Sequence, residues 1–330
     1  MGSAHAIRVD RVRASMIRAK TPIAVFVYKR PQHTQVMFES LSRSGRLDEC
    51  RIHVFCDGPK RPEDARDVEA ARSVARSWAT RLDAQVREEK ANKGLAGSIV
   101  SGVSELCEDF GRVIVIEDDF VLSPSFVHFM LEGLDAFQEN RAVFQISGYM
   151  FPIDLPPGPE GIFLPFTTTW GWATWKRAWQ YFDPEADDAD LLLKNRETRR
   201  RFNLDNSYPY ADMLRQRLDG HNDSWGILWW WSVFKRDGLV LHPRKSLVMV
   251  GGFDETGTHC KAPSEFQHES EEQLLTLEDD RPFIFPTEVA VDAESFGRIK
   301  SFVGSSHRPE RSNLRSKIAR RLARAFARRS

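Results

Sequence analysis

The sequence predicts an α/β protein built on a doubly wound, Rossmann-like sheet with helices on both faces, and three observations predict it. Apolar, β-favouring runs alternate with helix-forming stretches over roughly the first 150 of the 330 residues. Val113-Ile-Val-Ile116 is four consecutive β-favouring apolar residues, the composition of a central parallel strand buried on both faces. Charged residues stand directly after several of the runs, at the carboxyl ends of strands, where sheets of this kind bind ligands.

Taken in order, residues 1–20 read as an arm. Ile23 to Tyr28, fenced by Pro22 and Pro31, reads as a buried first strand, and a helix from about Gln32 to Ser42 follows it. Arg51 to Cys56 is a second strand, closed by the turn signal Asp57-Gly-Pro. Pro62 to about Trp78 is helical by composition, Ala84 to Arg87 is a weaker strand, and Asn92-Lys-Gly94 opens a helix to about Phe110. Phe144 to Ser147 is a strand, and the Pro/Gly-rich stretch 152–161 marks a boundary. Beyond it come a strand at Ile162 to Phe166, a Trp-rich turn, an acidic loop at Asp183 to Asp190, helices to about Lys235, and strands near 238–241 and 246–250. Residues 21–150 and 151–300 are thus expected to be two halves of one domain, with 301–330 as a basic tail.

Composition narrows the class. A hydrophobic content of 41% suffices for a full core, and 28% charged residues is ordinary for a soluble protein. The formal charge is zero, but residues 308–330 hold nine Lys/Arg against one Glu, so the remainder is acidic. Basicity is therefore a property of the tail, and nucleic-acid binding by the body is not expected. Leu314, Ile318, Leu322 and Phe326 recur every four residues among these basic residues, a pattern suited to a helix lying on an anionic membrane surface or packing on protein. Cys50, Cys56, Cys107 and Cys260 show no metal or redox spacing, as expected of reduced thiols. No signal-peptide or membrane-spanning run is visible, and a cytoplasmic location, peripheral on the inner face of the plasma membrane, is expected.

The densest chemistry is Glu117-Asp118-Asp119, directly after the central strand. Three adjacent carboxylates repel one another unless something positive sits beside them, and Mg²⁺ or Mn²⁺ shared with a diphosphate would answer this. A solvated acidic turn is the plainer alternative. Asp57 suits a base or ribose contact, or an Asx turn with Gly58-Pro59. Arg30 and Lys93 suit phosphate or base contacts, or solvated surface positions. Trp170-Gly171-Trp172 offers flat rings on which a sugar could stack, or a core turn; Trp179 and at least one of Trp229, Trp230 and Trp231 read as core. Asp223, before a predicted helix, is either its N-cap or a general base. His259 lies in a glycine-bearing polar segment with the composition of a mobile loop.

Together these residues resemble a GT-A-fold inverting glycosyltransferase, in particular the N-acetylglucosaminyltransferase that initiates complex N-glycan branching and bacterial sugar transferases like it. The resemblance extends over about residues 22–260 and rests on Val-Tyr-Lys-Arg30, Phe-Cys-Asp57-Gly, Val-Ile-Val-Ile-Glu117-Asp118-Asp119, Trp-Gly171-Trp172, Asn222-Asp223-Ser224-Trp225 and Gly-Thr-His259-Cys. It implies a nucleotide diphosphate-sugar donor, expected to be a UDP-sugar, and a Mn²⁺ or Mg²⁺ ion bound by Asp119. It further implies Glu117 and Asp118 at the sugar and ribose, Asp57 at the uracil, Asp223 as the base, and His259 in a closing loop. The acceptor would be a glycan or lipid-linked hydroxyl in polysaccharide or glycoconjugate synthesis. Asn222 and Ser224 depart from the family's Trp and Asp on either side of the base. A sugar-nucleotide pyrophosphorylase would want a glycine-rich loop after the first strand, where Pro31-Gln-His-Thr has none. A catalytically silent nucleotide-sugar-binding subunit is the third reading.

Overall fold

The computed structural model describes residues 20–251 and 282–306, together with Leu274. His259, Cys260, most of the N-terminal arm and the basic stretch 308–330 lie outside the described residues.

The chain opens with a strand, β1 (Thr21–Val27), that is buried along its whole length. Pro31 then starts α1 (Pro31–Ser42), where its fixed φ suits the first helical position and its missing N–H costs nothing. β2 (Cys50–Cys56), α2 (Ala65–Leu82), β3 (Gln85–Glu88), α3 (Gly94–Phe110) and β4 (Arg112–Glu117) follow in strict alternation. α2 buries Val68, Ala71, Ala75, Trp78 and Ala79, an apolar stripe at helical spacing. α3 ends on Gly111, whose φ of +77° lets its N–H close back on the Cys107 carbonyl at 2.9 Å. Strands β1 to β4 are mutually parallel, and they lie in the order β3-β2-β1-β4. The chain thus winds outward from β1 and returns to its other side with β4. The order reverses between β1 and β4, the topological switch point of the sheet.

The remaining strands are β5 (Phe120–Leu122), β6 (Val143–Ser147), β7 (Gly161–Leu164), β8 (Trp172–Trp175), β9 (Leu239–Pro243) and β10 (Val248–Val250). The helices among and after them are α4 (Phe126–Ala136), α5 (Lys176–Trp179), α6 (Asp190–Lys194), α7 (Arg196–Phe202), α8 (Tyr210–Leu218), α9 (Trp225–Phe234) and α10 (Ala293–Ser306). The eight-stranded sheet continues from β4 as β8-β6-β9-β7, while β5 and β10 form a separate antiparallel pair. Only β8 and β7 run against the others, so the fold is α/β with a mostly parallel mixed sheet flanked by helices.

Two elements differ from the sequence expectation. Trp172 to Trp175, read as a Trp-rich turn, form the antiparallel strand β8 wedged between β4 and β6. Its four residues are all buried, which removes the polar alternation that would have marked a strand. The halves divided near residue 150 therefore share one sheet. The core also runs past residue 300, because Ile299 and Val303 of α10 are buried in it. Cys50, Cys56 and Cys107 are buried free thiols, and burial pushes each of them up to about 12. Among the described residues no helix is long and apolar enough to cross a membrane.

The second half packs around tryptophan. α9 is buried on nearly every side, and the rings of Trp172, Trp179, Trp225 and Trp229 meet one another at 5.0 to 6.5 Å between centroids. The polar edges of α9's rings find partners: Trp229 Nε1–H donates to the buried Gln145 side chain at 2.6 Å, and Trp231 Nε1–H to Asp188 at 2.8 Å.

His242 of β9 is buried between the carbonyls of Tyr149 and Phe166, each 3.2 Å from a ring nitrogen. Burial dominates those two favourable contacts and lowers its pKa to about 4. The unfolded chain therefore takes up a proton near pH 6.5 that the folded chain refuses until about pH 4. The contribution of His242 to stability should be flat above pH 6.5 and fall by about 3 kcal/mol as pH drops to 4. In urea titrations at pH 7.5 and 4.5, the advantage of wild type over His242→Gln should shrink on that scale; a constant gap would refute the assignment.

Candidate functional site at the β1–β4 switch point

The carboxyl ends of β1 and β4 lie side by side, with Phe26 paired to Glu117. Three carboxylates emerge there from a strand whose Val113 to Ile116 are fully buried, so their charge must be met locally. The end of β1 meets it. The backbone N–H of Tyr28 donates to Asp118 Oδ2 at 2.9 Å, and Arg30 Nη1 contacts Asp119 Oδ2 at 2.8 Å. Arg30 and Asp119 retain 20% and 14% of their side-chain exposure, so the pair sits at the lip of the rim.

The electrostatics follow this geometry. Burial, then Asp119 and Asp118, push Glu117 well above the usual carboxylate range, while Arg30 pulls it back. Asp118 is raised to about 6 by burial and by Asp119, against the opposing pull of Arg30, the Tyr28 N–H and His33. Burial opposes the charge on Arg30, but Asp118, Asp119 and Glu117 outweigh it and hold the guanidinium above its ordinary value.

The β5–β10 pair closes one side of this rim. Gly251, just after β10, donates its N–H to the Asp119 carbonyl at 2.6 Å. A side chain at Gly251 would begin 3.1 Å from that carbonyl and 3.4 Å from the His33 ring, so glycine allows the two segments to meet. His33 and Tyr28 carry no site expectation from the sequence, whereas Gly251 opens the glycine-bearing polar segment that also holds His259. His33 stands three residues beyond Arg30 on the first turn of α1, and only the helix start carried that information.

Asp57 and Lys93 do come together, though not as two side chains reaching for a ligand. The buried Asp57 carboxylate accepts from the backbone N–H groups of Gly58 (2.8 Å), Lys93 (2.8 Å) and Gly94 (2.9 Å), and from the Asn92 amide (2.8 Å). These four bonds use all of its usual acceptor positions. Two of them satisfy N–H groups at the start of α3, favoured by the helix dipole. Pro59 has no N–H, so the Asx turn considered above cannot form. Gly58 is required because a Cβ there would lie 2.5 Å from the Ala91 backbone. The Lys93 ammonium turns outward to Glu89 at 2.7 Å.

The tryptophan turn divides by burial. Val115 of β4 pairs with Trp172 of the antiparallel β8, so Gly171 and Trp170 continue toward the carboxyl end of β4, on the same rim as the triplet. Gly171 has φ +62°, and a Cβ would press on Phe126 at 2.8 Å, so glycine is needed twice over. Trp170 is half-buried against Tyr149, edge to face at 4.5 Å. Trp172, expected to offer a sugar its face, has 0% exposure and belongs to the core. Its ring lies against Trp225 at 5.4 Å, which leaves no room for a ligand.

Asp223 is exposed and precedes α9 by two residues. The N-cap position belongs to Ser224, whose side chain makes no capping bond, so Asp223 is not the cap the sequence allowed. Asn222 holds the approach, its Oδ1 accepting from the Ser224 N–H at 3.1 Å and its amide donating to the Met213 carbonyl at 3.1 Å. Gly226 brings the start of α9 onto Thr169, 3.2 Å from where its Cβ would be, beside Trp170. Topology thus gathers Arg30, Glu117, Asp118, Asp119, Trp170 and Gly171 along one edge of the sheet.

No family model matches the chain, and no curated protein matches it. Solved structures show distant similarity. A mannosyltransferase from Pyrobaculum calidifontis in complex with GDP-Man and Mn²⁺ aligns at 15% identity and a TM-score of 0.32, covering 41% of this chain and 36% of its own. Mouse xyloside xylosyltransferase 1 in its apo form aligns at 13% and 0.36, covering 66% and 82%. A mannose-1-phosphate geranyltransferase from Thermus thermophilus aligns at 13% and 0.32, covering 68% and 73%. The chain therefore spans about a third of the first of these structures. The likeness is to an α/β architecture alone.

Among the described residues no three His, Cys, Asp or Glu side chains are grouped to hold a metal ion. The donor chemistry at the rim nevertheless fits Mg²⁺ or Mn²⁺, ions commonly held by one or two carboxylates with substrate phosphates and water completing the shell. Arg30 already stands on Asp119 as a cation of the chain's own.

The four bonds to Asp57 lead to an expectation. Asp57→Asn would turn one acceptor oxygen into a donor facing other donors, and should cost about 3 kcal/mol. Denaturant unfolding measures this directly. Undiminished stability together with a loss of nucleotide affinity would instead assign Asp57 to ligand binding.

Proposed function

We propose that the protein is a metal-dependent inverting glycosyltransferase that moves a sugar from a nucleotide diphosphate, expected to be UDP, to an acceptor hydroxyl of a glycan or lipid-linked sugar. The observation that carries this reading is the Arg30–Asp119 contact across the β1–β4 switch point, which assembles cationic and anionic groups where sheets of this type bind nucleotides. A diphosphate suits the planar guanidinium of Arg30. Asp119 is the carboxylate that would hold the divalent ion, and when bound the ion supplies Lewis-acid neutralisation of the departing diphosphate. Glu117 and Asp118 would lie against the sugar and ribose, with Trp170 and Gly171 beside the transferred ring. His259, outside the described residues, is proposed for the closing loop.

The reaction needs the chain's own side chains to accept one proton. The acceptor oxygen attacks the anomeric carbon as the bond to the diphosphate oxygen breaks, and the hydroxyl proton passes to the Asp223 carboxylate. Asp223 is exposed three residues before Gly226, which meets Thr169, and an acceptor could approach it from solvent. A carboxylate suffices as base because the hydroxyl becomes acidic only as its bond to carbon forms.

A thermal-shift series with nucleoside diphosphates and their sugars, with and without Mn²⁺, tests the reading. A saturating UDP-sugar with Mn²⁺ should raise Tm on the order of 3 °C, and Asp119→Asn should lose the Mn²⁺-dependent part. A purine preference would displace the UDP assignment, and no response to any nucleotide would remove the function.

The base is tested separately. Asp223→Asn should lower turnover by about 10²- to 10⁴-fold while leaving Tm and donor binding nearly unchanged. Turnover close to wild type would exclude it as the base.

A further inference from the structure

We infer that Arg30 is an internal counter-cation for Asp119, and that a divalent ion gains this carboxylate only when a nucleoside diphosphate draws the guanidinium away. The inference deepens the nucleotide-sugar reading and rests on it. Arg30 Nη1 lies 2.8 Å from Asp119 Oδ2, in the position a cation ligand of that oxygen would take. A guanidinium on this oxygen repels an ion approaching the same carboxylate, so each weakens the other's hold on it. A diphosphate changes the competition because it gives Arg30 a second anionic partner with fork-matching oxygens.

The surroundings leave the side chains as the moving parts. The Arg30 carbonyl is held by the Thr34 N–H at 2.9 Å and the Thr34 hydroxyl at 2.8 Å. The Asp119 carbonyl is held by the Gly251 N–H at 2.6 Å. Both Cα positions are therefore fixed while the pair stands at the lip of the rim. Lys29 does not substitute for Arg30, because its ammonium is engaged by Asp64 at 2.6 Å. Metal and diphosphate are thereby coupled through one arginine, and the coupling is reciprocal. Each ligand should tighten the other.

The first arm of the test contains no nucleotide. Mn²⁺ binding to the full chain is followed by the electron paramagnetic resonance signal of the free ion, in wild type, Arg30→Gln and Arg30→Lys. Wild type should bind Mn²⁺ weakly, and Arg30→Gln should bind it roughly 10-fold tighter or more, since a neighbouring cation has been removed. That gain should vanish when Asp119→Asn is added. Arg30→Lys keeps the charge without the fork and should show a smaller gain, which serves if Arg30→Gln does not fold. Mn²⁺ affinity unchanged or weakened in whichever variant folds overturns the inference. In the second arm, calorimetry with UDP should show weaker binding to the Arg30 variant; undiminished UDP affinity also overturns it. The two failures are distinguishable: loss of the nucleotide-sugar reading appears as no UDP binding by wild type, whatever the Mn²⁺ arm gives.

Discussion

Burying β4 between β1 and β8 delivers three carboxylates to the edge of the sheet, and the rest of the rim is arranged around that charge. The strand must be apolar from Val113 to Ile116 because both of its faces are covered. Its last residue and the two beyond it are not apolar at all. Just after β1 the backbone N–H of Tyr28, which any residue but proline would supply, meets Asp118, and the Arg30 guanidinium meets Asp119. Had an apolar residue stood at position 30, Asp119 would have lost its counter-charge beside two other carboxylates. The position of α1 follows from the same arrangement, since Pro31 starts the helix one residue after Arg30 and brings His33 beside Gly251.

A second carboxylate, Asp57, shows how similar residues at neighbouring strand ends come to differ. Both Asp57 and Asp118 follow a parallel strand and both are buried. Asp57 is met by four neutral donors, one from the adjacent Gly58 and three from residues 92–94, which satisfy its oxygens by hydrogen bonding. Asp118 is met by one backbone donor and shares its surroundings with two other carboxylates, so its charge is resisted. The first arrangement ties β2 to the start of α3. The second leaves an unresolved electrostatic demand at the rim, which is what a charged ligand can answer.

The second half contributes rigidity by a different means. The tryptophans of β8 and α9 and the buried Gln145 form a packed body in which Trp229 bonds to Gln145 and Trp175 to the Leu134 carbonyl, while the buried Trp172 Nε1–H has no partner. Trp172 anchors the turn from within, while Trp170 and Gly171 emerge from it onto the rim. One short segment is therefore core at one end and surface at the other.

The sequence by itself determined the alternation of strand and helix to β4, because parallel strands buried on both faces need unbroken apolar runs and their crossover helices need amphipathic ones. It also determined that acidic residues follow the most apolar run, and that Arg30, Asp57 and Glu117 to Asp119 share one edge, since parallel strands end on one side. What it could not determine depends on pairing between distant segments. Whether Trp172 is a face or a core ring depended on β8 inserting between β4 and β6, a contact with no local signal because every residue of β8 is buried. Whether Asp57 is free or tied depended on where residues 92–94 return. Whether the acidic triplet awaits a cation or already holds one depended on the strand beside it. Burial and counter-charge are properties of neighbours, and only the tertiary structure chooses the neighbours.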